Sequence, residues 1–375
     1  MKEFFLDANA HIPMNKSAVD ALIQFNNSLA SHGHALALSA PSRAANNVLE
    51  KAREDIAEMI GAKSSNQIIF TSGCTQACQW GMEISFNQLF KELDQGNYYE
   101  LKCSAFEHPA IKQVFEEMCK EHYHNYIPYS EPNKDGELIF TSHSRLTKSN
   151  FMICTHMQNE IGLIYDIANI DCKYIFSDMS QSLGKIPVNV TELDVDIAVF
   201  GAHKFGGPSG FGFMYLKDTN WWKPYGTGSR YFFDRAGTPD VAGAVSTAAA
   251  LSYALKTLPE RTSNCIEFRN VLEPFLESIG IEIICKNSNR SPNTTFAHVP
   301  GKGAELIAEL GKQGIYIGLG SACGSVYAGP SQTVTSLCRD GNADDYIRIS
   351  QFGEYGLDEA KCFIDIFEKI YGEKT

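Results

Sequence analysis

The segment Asp196-Ile197-Ala198-Val199-Phe200-Gly201-Ala202-His203-Lys204 places an imidazole and an amine directly after a short apolar run. This run is too short for a helix, and its β-branched and aromatic residues are typical of a buried strand. Similar runs occur at residues 68–70, 151–154 and 174–176. A helical pattern covers residues 46–62, where apolar residues recur at helical spacing. Strands that alternate with helices predict an α/β fold with a large, mostly parallel sheet of the seven-stranded type.

The pattern changes after about Tyr253. Helical stretches at 264–279 and 304–310 surround strand candidates at 281–285 and 294–299, and a helix at 357–371 follows. We predict a large α/β domain over residues 14–255 and a smaller α+β domain made of residues 1–13 and 256–375. A cleft between two such units is a common place for a ligand.

Composition excludes several functional classes. The 375 residues include 32 Lys+Arg and 44 Asp+Glu, for a net charge of −12, which argues against direct binding of nucleic acid. No stretch reaches the roughly 18 apolar residues of a membrane span. The apolar stretch at residues 4–6 is too short to be the core of a signal peptide. We therefore predict a cytoplasmic protein without a membrane partner. The 11 cysteines are scattered without a Cys-x-x-Cys pair, which predicts free thiols and no metal site.

Ligands of open α/β sheets lie beyond the carboxyl ends of the strands, so the residues after each run matter most. Residues 71–75 (Thr-Ser-Gly-Cys-Thr) offer backbone N–H groups and hydroxyls to a phosphate, although a plain helix cap is the simpler alternative. Asp178 and Gln181 follow the run at 174–176. They could pair with the ring nitrogen and phenolic oxygen of a pyridoxal cofactor, although a lone Asp there is more often a cap.

The other two strand ends complete the same chemistry. Lys204 follows a buried strand, where partial desolvation favours a Schiff-base amine, and Asn159 could donate to a cofactor oxygen. A surface lysine and a buried turn amide are the alternatives for each residue alone. The four strand ends together predict pyridoxal 5′-phosphate.

Several ordered motifs then resemble those of a known family. They are Glu107-His108, the segments 156–162 and 177–185, Ala202-His203-Lys204, the segments 235–238 and 320–323, and the segment 347–350. In order and spacing they are similar to the motifs of cysteine desulfurases, which are class V, fold-type I pyridoxal-phosphate enzymes. The resemblance covers nearly the whole chain.

The resemblance implies a role for each matching residue. Lys204 would bind the cofactor covalently and Asp178 would face its pyridine nitrogen. The remaining cofactor contacts would come from Gln181 and Asn159 at the ring hydroxyl, from Cys74, Thr75 and His203 at the phosphate, and from Thr238 of the second subunit of a homodimer. His108 would stack on the ring and move protons. Arg348, together with Asn159, would bind the substrate, with the guanidinium on its carboxylate.

Cys323 is the residue that indicates which reaction a pyridoxal-phosphate enzyme of this kind would catalyse. It lies in the Gly- and Ser-rich segment 318–325, where a mobile thiolate could attack the sulfur of bound cysteine, although an inert loop thiol is the common alternative. The resemblance implies a cysteine desulfurase that converts L-cysteine to L-alanine and passes a Cys323 persulfide to an acceptor protein, as in iron–sulfur cluster assembly. Another class V enzyme, such as a selenocysteine lyase or an aminotransferase, and a weakly catalytic partner-binding scaffold are the alternatives.

The chain departs from the family pattern at a few positions. His11 and Ile12 stand where two threonines are usual, Gly201 replaces a phosphate-binding serine, and residues 229–233 differ from the usual segment before Thr238. These departures lie close to the predicted substrate and phosphate positions, so we expect them to affect affinity more than fold.

Overall fold

The structure is a computed structural model that describes residues 3–94, 101–122, 129–130, 132–133, 135–138, 151–222, 237–319, 332–337 and 342–372. The strands are β1 Phe4–Leu6, β2 Ile68–Thr71, β3 Leu101–Ser104, β4 Tyr129–Ser130, β5 Phe151–Ile153, β6 Tyr174–Asp178, β7 Ile197–Gly201, β8 Gly212–Leu216, β9 Glu282–Ile283, β10 Thr294–His298, β11 Ile315–Leu319 and β12 Tyr346–Ser350. The helices are α1 Lys16–Asn26, α2 Ala40–Met59, α3 Cys74–Asp94, α4 Pro109–His122, α5 Val241–Ser278, α6 Gly303–Lys312, α7 Gln332–Leu337 and α8 Leu357–Gly372.

A seven-stranded sheet carries the predicted strand ends. Its order is β2-β8-β7-β6-β5-β3-β4; β8 is antiparallel to both neighbours and the other pairs are parallel. Two apolar clusters bury its two faces, one with residues of α2 and α5 and the other with residues of α3 and α4. The prediction of an α/β fold with a large, mostly parallel sheet is confirmed.

A second sheet of five strands has the order β1-β11-β12-β10-β9. The β1–β11 pair is parallel and the other pairs are antiparallel. A third cluster packs this sheet against α5, α6 and α8 through Phe268, Leu306 and Phe363. Strand β1 therefore joins strands from the last third of the chain.

Helix α5 is longer than the sequence pattern predicts. It begins at Val241 after Asp240, whose Oδ1 accepts a hydrogen bond from the N–H of Gly243, and it continues through Pro259 and Pro274. Before residue 264 the many small residues give no clear helical period. The sequence pattern therefore predicts only the part of α5 that begins at residue 264. The predicted domain boundary after residue 255 falls inside this helix and stays a prediction. By length and composition α5 could cross a membrane, but half of its most apolar window is buried, as in the core helix of a globular domain.

Candidate functional site

A cavity of about 390 Å³ opens at the carboxyl ends of the large sheet. The cavity is lined by the β2–α3 turn, the ends of β6 and β7, Arg348 of β12, and the segment that follows β1. Of the residues predicted from sequence, the following line it: Cys74, Thr75, His108, Asn159, Asp178, Gln181, His203, Lys204 and Arg348. The two sheets therefore bring into one place side chains that are far apart in the sequence.

The β2–α3 turn places a helix N-terminus at the cavity. Gly73 has a φ of +140°, which favours glycine, and Thr71 Oγ1 donates a hydrogen bond to the Gly73 carbonyl at 2.9 Å. A Cβ on Gly212 would lie only 2.7 Å from the carbonyl carbon of Gly73, so the antiparallel neighbour β8 must also carry glycine here. The 21-residue helix α3 then begins at Cys74, and the N–H groups of its first residues have no carbonyl partner within the helix, which suits an anion.

Asp178 ends β6 with its side chain buried, and its Oδ1 accepts a hydrogen bond from the N–H of Ser180 at 2.9 Å. The side chain of Gln181 is held from both ends: Lys185 Nζ donates to its Oε1 at 2.6 Å, and its Nε2 donates to the Asn9 carbonyl at 2.8 Å. Lys185 Nζ also donates to Asn9 Oδ1 at 3.0 Å. Burial, followed by the charge of Lys204, holds the pKa of Lys185 well below its usual range.

Lys204 lies in the short 3-10 turn Ala202–Lys204, directly after β7. Its Nζ donates hydrogen bonds to the carbonyls of Asn9 and Ala10, both at 2.7 Å. The neighbouring His203 stacks on His11, with ring centroids 5.9 Å apart. Burial and the charge of Lys204 lower the pKa of His203 to about 4, so this imidazole is neutral at physiological pH.

Arg348 is 1% exposed, at the centre of β12. Its Nη2 donates to Asp7 Oδ1 at 2.6 Å and its Nη1 to the Asn159 carbonyl at 3.0 Å. Its Nε has no hydrogen-bond partner in the described part of the chain. Since buried polar atoms are almost always paired, an unpaired donor on a residue that lines a cavity fits an anionic ligand.

Glu107 and His108 lie directly before α4. His108 Nδ1 accepts a hydrogen bond from the N–H of Ala110 at 3.1 Å, which places the proton of the neutral ring on Nε2. Glu107 Oε1 accepts from the N–H of Thr155 at 2.6 Å. Burial, followed by the charge of Asp178, raises the pKa of Glu107 to about 8, so at neutral pH this acid is mostly protonated.

Comparison with known proteins places this geometry in a family. The family model described as aminotransferase class-V matches residues 4–357. The chain belongs to the aminotransferase class-V family. It is 29% identical to the cysteine desulfurase IscS of Dictyoglomus turgidum, over 90% of this chain and 86% of that protein. It is also 29% identical to the putative cysteine desulfurase NifS of Bacillus subtilis, over 94% and 90%. A solved NifS-like protein superposes with a TM-score of 0.85 at 24% identity, over 99% of this chain and all of the other.

Of the predicted site residues that the structure describes, Thr238 does not line this cavity. Thr238 is exposed, and its Oγ1 lies 3.4 Å from His34 Nε2. Cys323 lies outside the described residues, as does the segment 229–233. The roles that the resemblance implies for these positions stay predictions.

The structure gives physical context for the departures at Gly201 and His11. A Cβ at position 201 would lie 3.3 Å from Cys74 Cβ and 3.2 Å from His203 Cε1, so Cys74 occupies space that a serine there would need. The ring of His11 covers His203 by stacking. Both departures therefore lie beside the helix end that faces the cavity.

Asn9 and Lys185 were not predicted as site residues. Asn9 is 1% exposed, and its backbone N–H, carbonyl and side chain bond to Ser350, Gln181, Lys204 and Lys185. Lys185 lies within the motif segment 177–185, whereas no motif includes Asn9, whose partners are up to 341 positions away. The one sequence signal for Lys185 is that a lysine occurs among the small and apolar residues of segment 182–186.

Proposed function

We propose that this chain is a cysteine desulfurase that uses pyridoxal 5′-phosphate to remove sulfur from L-cysteine, with L-alanine as the other product. The observation that carries the proposal is the convergence of Lys204, Asp178 and Arg348 on one cavity beside a helix N-terminus. The class V family model and curated relatives named cysteine desulfurase support it.

The residues at the cavity fit the cofactor. Its volume of about 390 Å³ lies in the usual range of small-molecule sites, roughly 300–1,000 Å³. The N-terminus of α3, with Cys74, Thr75 and neutral His203, suits the phosphate. Asp178 suits a protonated ring nitrogen, and Lys204 is the amine for the aldehyde. When bound, the cofactor supplies an electron sink for the α-carbon of the substrate.

Lys185 would direct the Gln181 amide. Lys185 Nζ donates to the amide oxygen and the Asn9 carbonyl accepts one N–H of the amide, so the second N–H is left as a donor for the ring hydroxyl. Asn159 is within reach of the same region, since its carbonyl already accepts from Arg348 and Asn9. These contacts orient the cofactor without adding another charge.

Arg348 would bind the substrate carboxylate. Asp7 and the Asn159 carbonyl occupy two of its five N–H donors and fix the plane of the guanidinium, so the other donors are available for a bidentate contact. The carboxylate held there sets which substrate bond faces Lys204, the group we assign to removing the α-proton. Nε2–H of His108 would return a proton.

The transfer step is assigned to Cys323 from the resemblance. Its thiolate would form a bond to the substrate sulfur while the carbon–sulfur bond of the substrate breaks, and proton return to the carbon skeleton completes L-alanine. The Cys323 persulfide would then pass its outer sulfur to an acceptor protein. The exposed position of Thr238, away from the cavity of its own chain, supports a contribution to the cavity of a second subunit in a cytoplasmic homodimer.

The proposal is tested with three purified full-length variants and L-cysteine. Lys204→Ala should lack the absorption band at about 400–430 nm that the lysine-bound cofactor gives, and it should release neither sulfide nor alanine. Cys323→Ser should keep the band and lose sulfur release. Cys362→Ser, at an exposed cysteine of α8, is the matched control and should match the wild type.

Undiminished sulfur release by Cys323→Ser would contradict the proposed transfer step. Absence of the band in the wild type after incubation with pyridoxal 5′-phosphate would contradict the cofactor assignment. In that case the partner-binding scaffold would become the better description.

A further inference from the structure

Cys74 and Cys78 lie on consecutive turns of α3, with their sulfur atoms 3.7 Å apart. Asp178 completes the cluster: one ligand atom from each of the three residues lies within 4.8 Å of the others. Among the residues that the structure describes, no other trio of potential metal ligands is found. All three line the cavity, so an ion could reach them from solvent.

The sulfur separation matches the geometry of a shared metal ion. With Zn–S bonds of about 2.3 Å and tetrahedral angles, two thiolates on one zinc ion are about 3.8 Å apart. The separation of the two sulfur atoms therefore already suits one shared ion, which would replace the contact of Cys74 Sγ with Ser180 Oγ at 2.8 Å. Asp178 supplies an oxygen ligand, and solvent in the cavity can fill the fourth position, as in open zinc sites.

A disulfide between these thiols fits the helix poorly. Residues four apart on a helix hold their Cβ atoms about 5–6 Å apart, whereas a disulfide needs about 3.5–4.5 Å. Oxidation would therefore require the first turn of α3 to distort, while metal binding leaves the helix intact.

We propose that Cys74, Cys78 and Asp178 bind one thiophilic divalent cation, with Zn²⁺ as the preferred ion, in the cofactor-free chain. Binding exchanges two thiol protons for the metal: both protons pass to solvent, both sulfurs become thiolate ligands, and no electron is transferred. The ion takes the carboxylate that we assign to the ring nitrogen and the helix end that we assign to the phosphate. Metal and pyridoxal 5′-phosphate therefore exclude each other, a consequence that rests on the proposed function, whereas metal binding itself does not.

Co²⁺ is the spectroscopic probe for this site. Titration of the cofactor-free full-length protein should give thiolate-to-cobalt charge-transfer absorption and tetrahedral d–d bands that saturate at one equivalent. Zn²⁺ should displace Co²⁺, in the usual order of affinities. Because protons are released, the apparent affinity should rise with pH.

Cys78→Ala is the diagnostic variant, because Cys78 has no role in the proposed reaction. It should lose the charge-transfer band of this site and still bind pyridoxal 5′-phosphate. Cys103→Ala, which removes another buried thiol from the same apolar cluster, is the matched control and should titrate like the wild type. Circular dichroism checks folding, and Cys78→Ser provides a second variant closer in size to the native residue.

Three results would overturn the metal site: absence of a thiolate band in the wild type, an unchanged titration in both Cys78 variants, or loss of the band in Cys103→Ala. Preloading with pyridoxal 5′-phosphate should block the cobalt signal, and simultaneous binding would overturn the exclusion. A chain that binds Co²⁺ at this cluster but never the cofactor would support the metal site and overturn the proposed function.

Discussion

Arg348→Lys tests how the substrate is held. In the wild type, Nη1 and Nη2 each give one hydrogen to Asn159 and Asp7, and the remaining donors form a planar fork. Lysine keeps the charge but offers a compact ammonium, so at least one charge-assisted hydrogen bond to the carboxylate is lost. Such a bond contributes about 1.5–3 kcal/mol, which predicts that kcat/KM for L-cysteine falls about 10- to 150-fold.

The assay compares two ligands that differ only in the carboxylate. Sulfide release measures kcat/KM for L-cysteine, and competitive inhibition measures the affinity for cysteamine, which lacks the carboxylate. The substitution should lower kcat/KM for L-cysteine and leave the affinity for cysteamine nearly unchanged. Arg53→Lys, at another buried arginine that does not line the cavity, is the control and should leave both values close to wild type. Equal losses for both ligands would refute the carboxylate contact.

Three further predictions concern stability and cofactor binding. Glu273→Gln should lower the free energy of unfolding in urea by about 3–5 kcal/mol, because its bidentate partner Arg290 stays charged and buried; a change as small as that of Asp20→Asn, in an exposed pair, would contradict this. Burial lowers the pKa of His156 to about 4, so between about pH 6.5 and 4 the unfolded chain binds a proton that the folded chain does not. Stability should therefore fall as the pH falls through this window, by up to about 1.4 kcal/mol per pH unit from this residue, and His156→Gln should reduce that slope; parallel slopes would contradict it. Lys185→Met should weaken pyridoxal 5′-phosphate binding about 10-fold, measured by fluorescence titration, since the Gln181 amide loses its fixed direction; an unchanged dissociation constant would show that the lysine does not direct the amide.

The α/β class and the strand ends could be predicted because their signals are local. Buried parallel strands such as β7 consist of continuous apolar residues, and the polar residues that follow them reach one edge of the sheet by topology alone. The family resemblance was read from the same segments, and the class V match confirms it.

The parts that were missed depend on contacts between distant segments. Asn9 acts through its backbone carbonyl as well as its side chain, and carbonyl contacts leave no trace in residue type. Cys78 reads as an ordinary apolar position of α3, and only the packing of β6 against that helix brings Asp178 close to it. The beginning of α5 was missed because alanine, glycine, serine and threonine give no clear apolar stripe.

The contacts of the N-terminal segment limit how much of the site can form while the chain is still being translated. Asp7 and Asn9 leave the ribosome 341 positions before Arg348 and Ser350, the residues that they contact. The large sheet can pair while the nascent chain is still growing, but the carbonyls that hold Lys204 are fixed only after β11 and β12 emerge and pair beside β1. Because those carbonyls position the Lys204 amine, a ribosome-bound chain lacking its last third should be unable to capture the aldehyde productively.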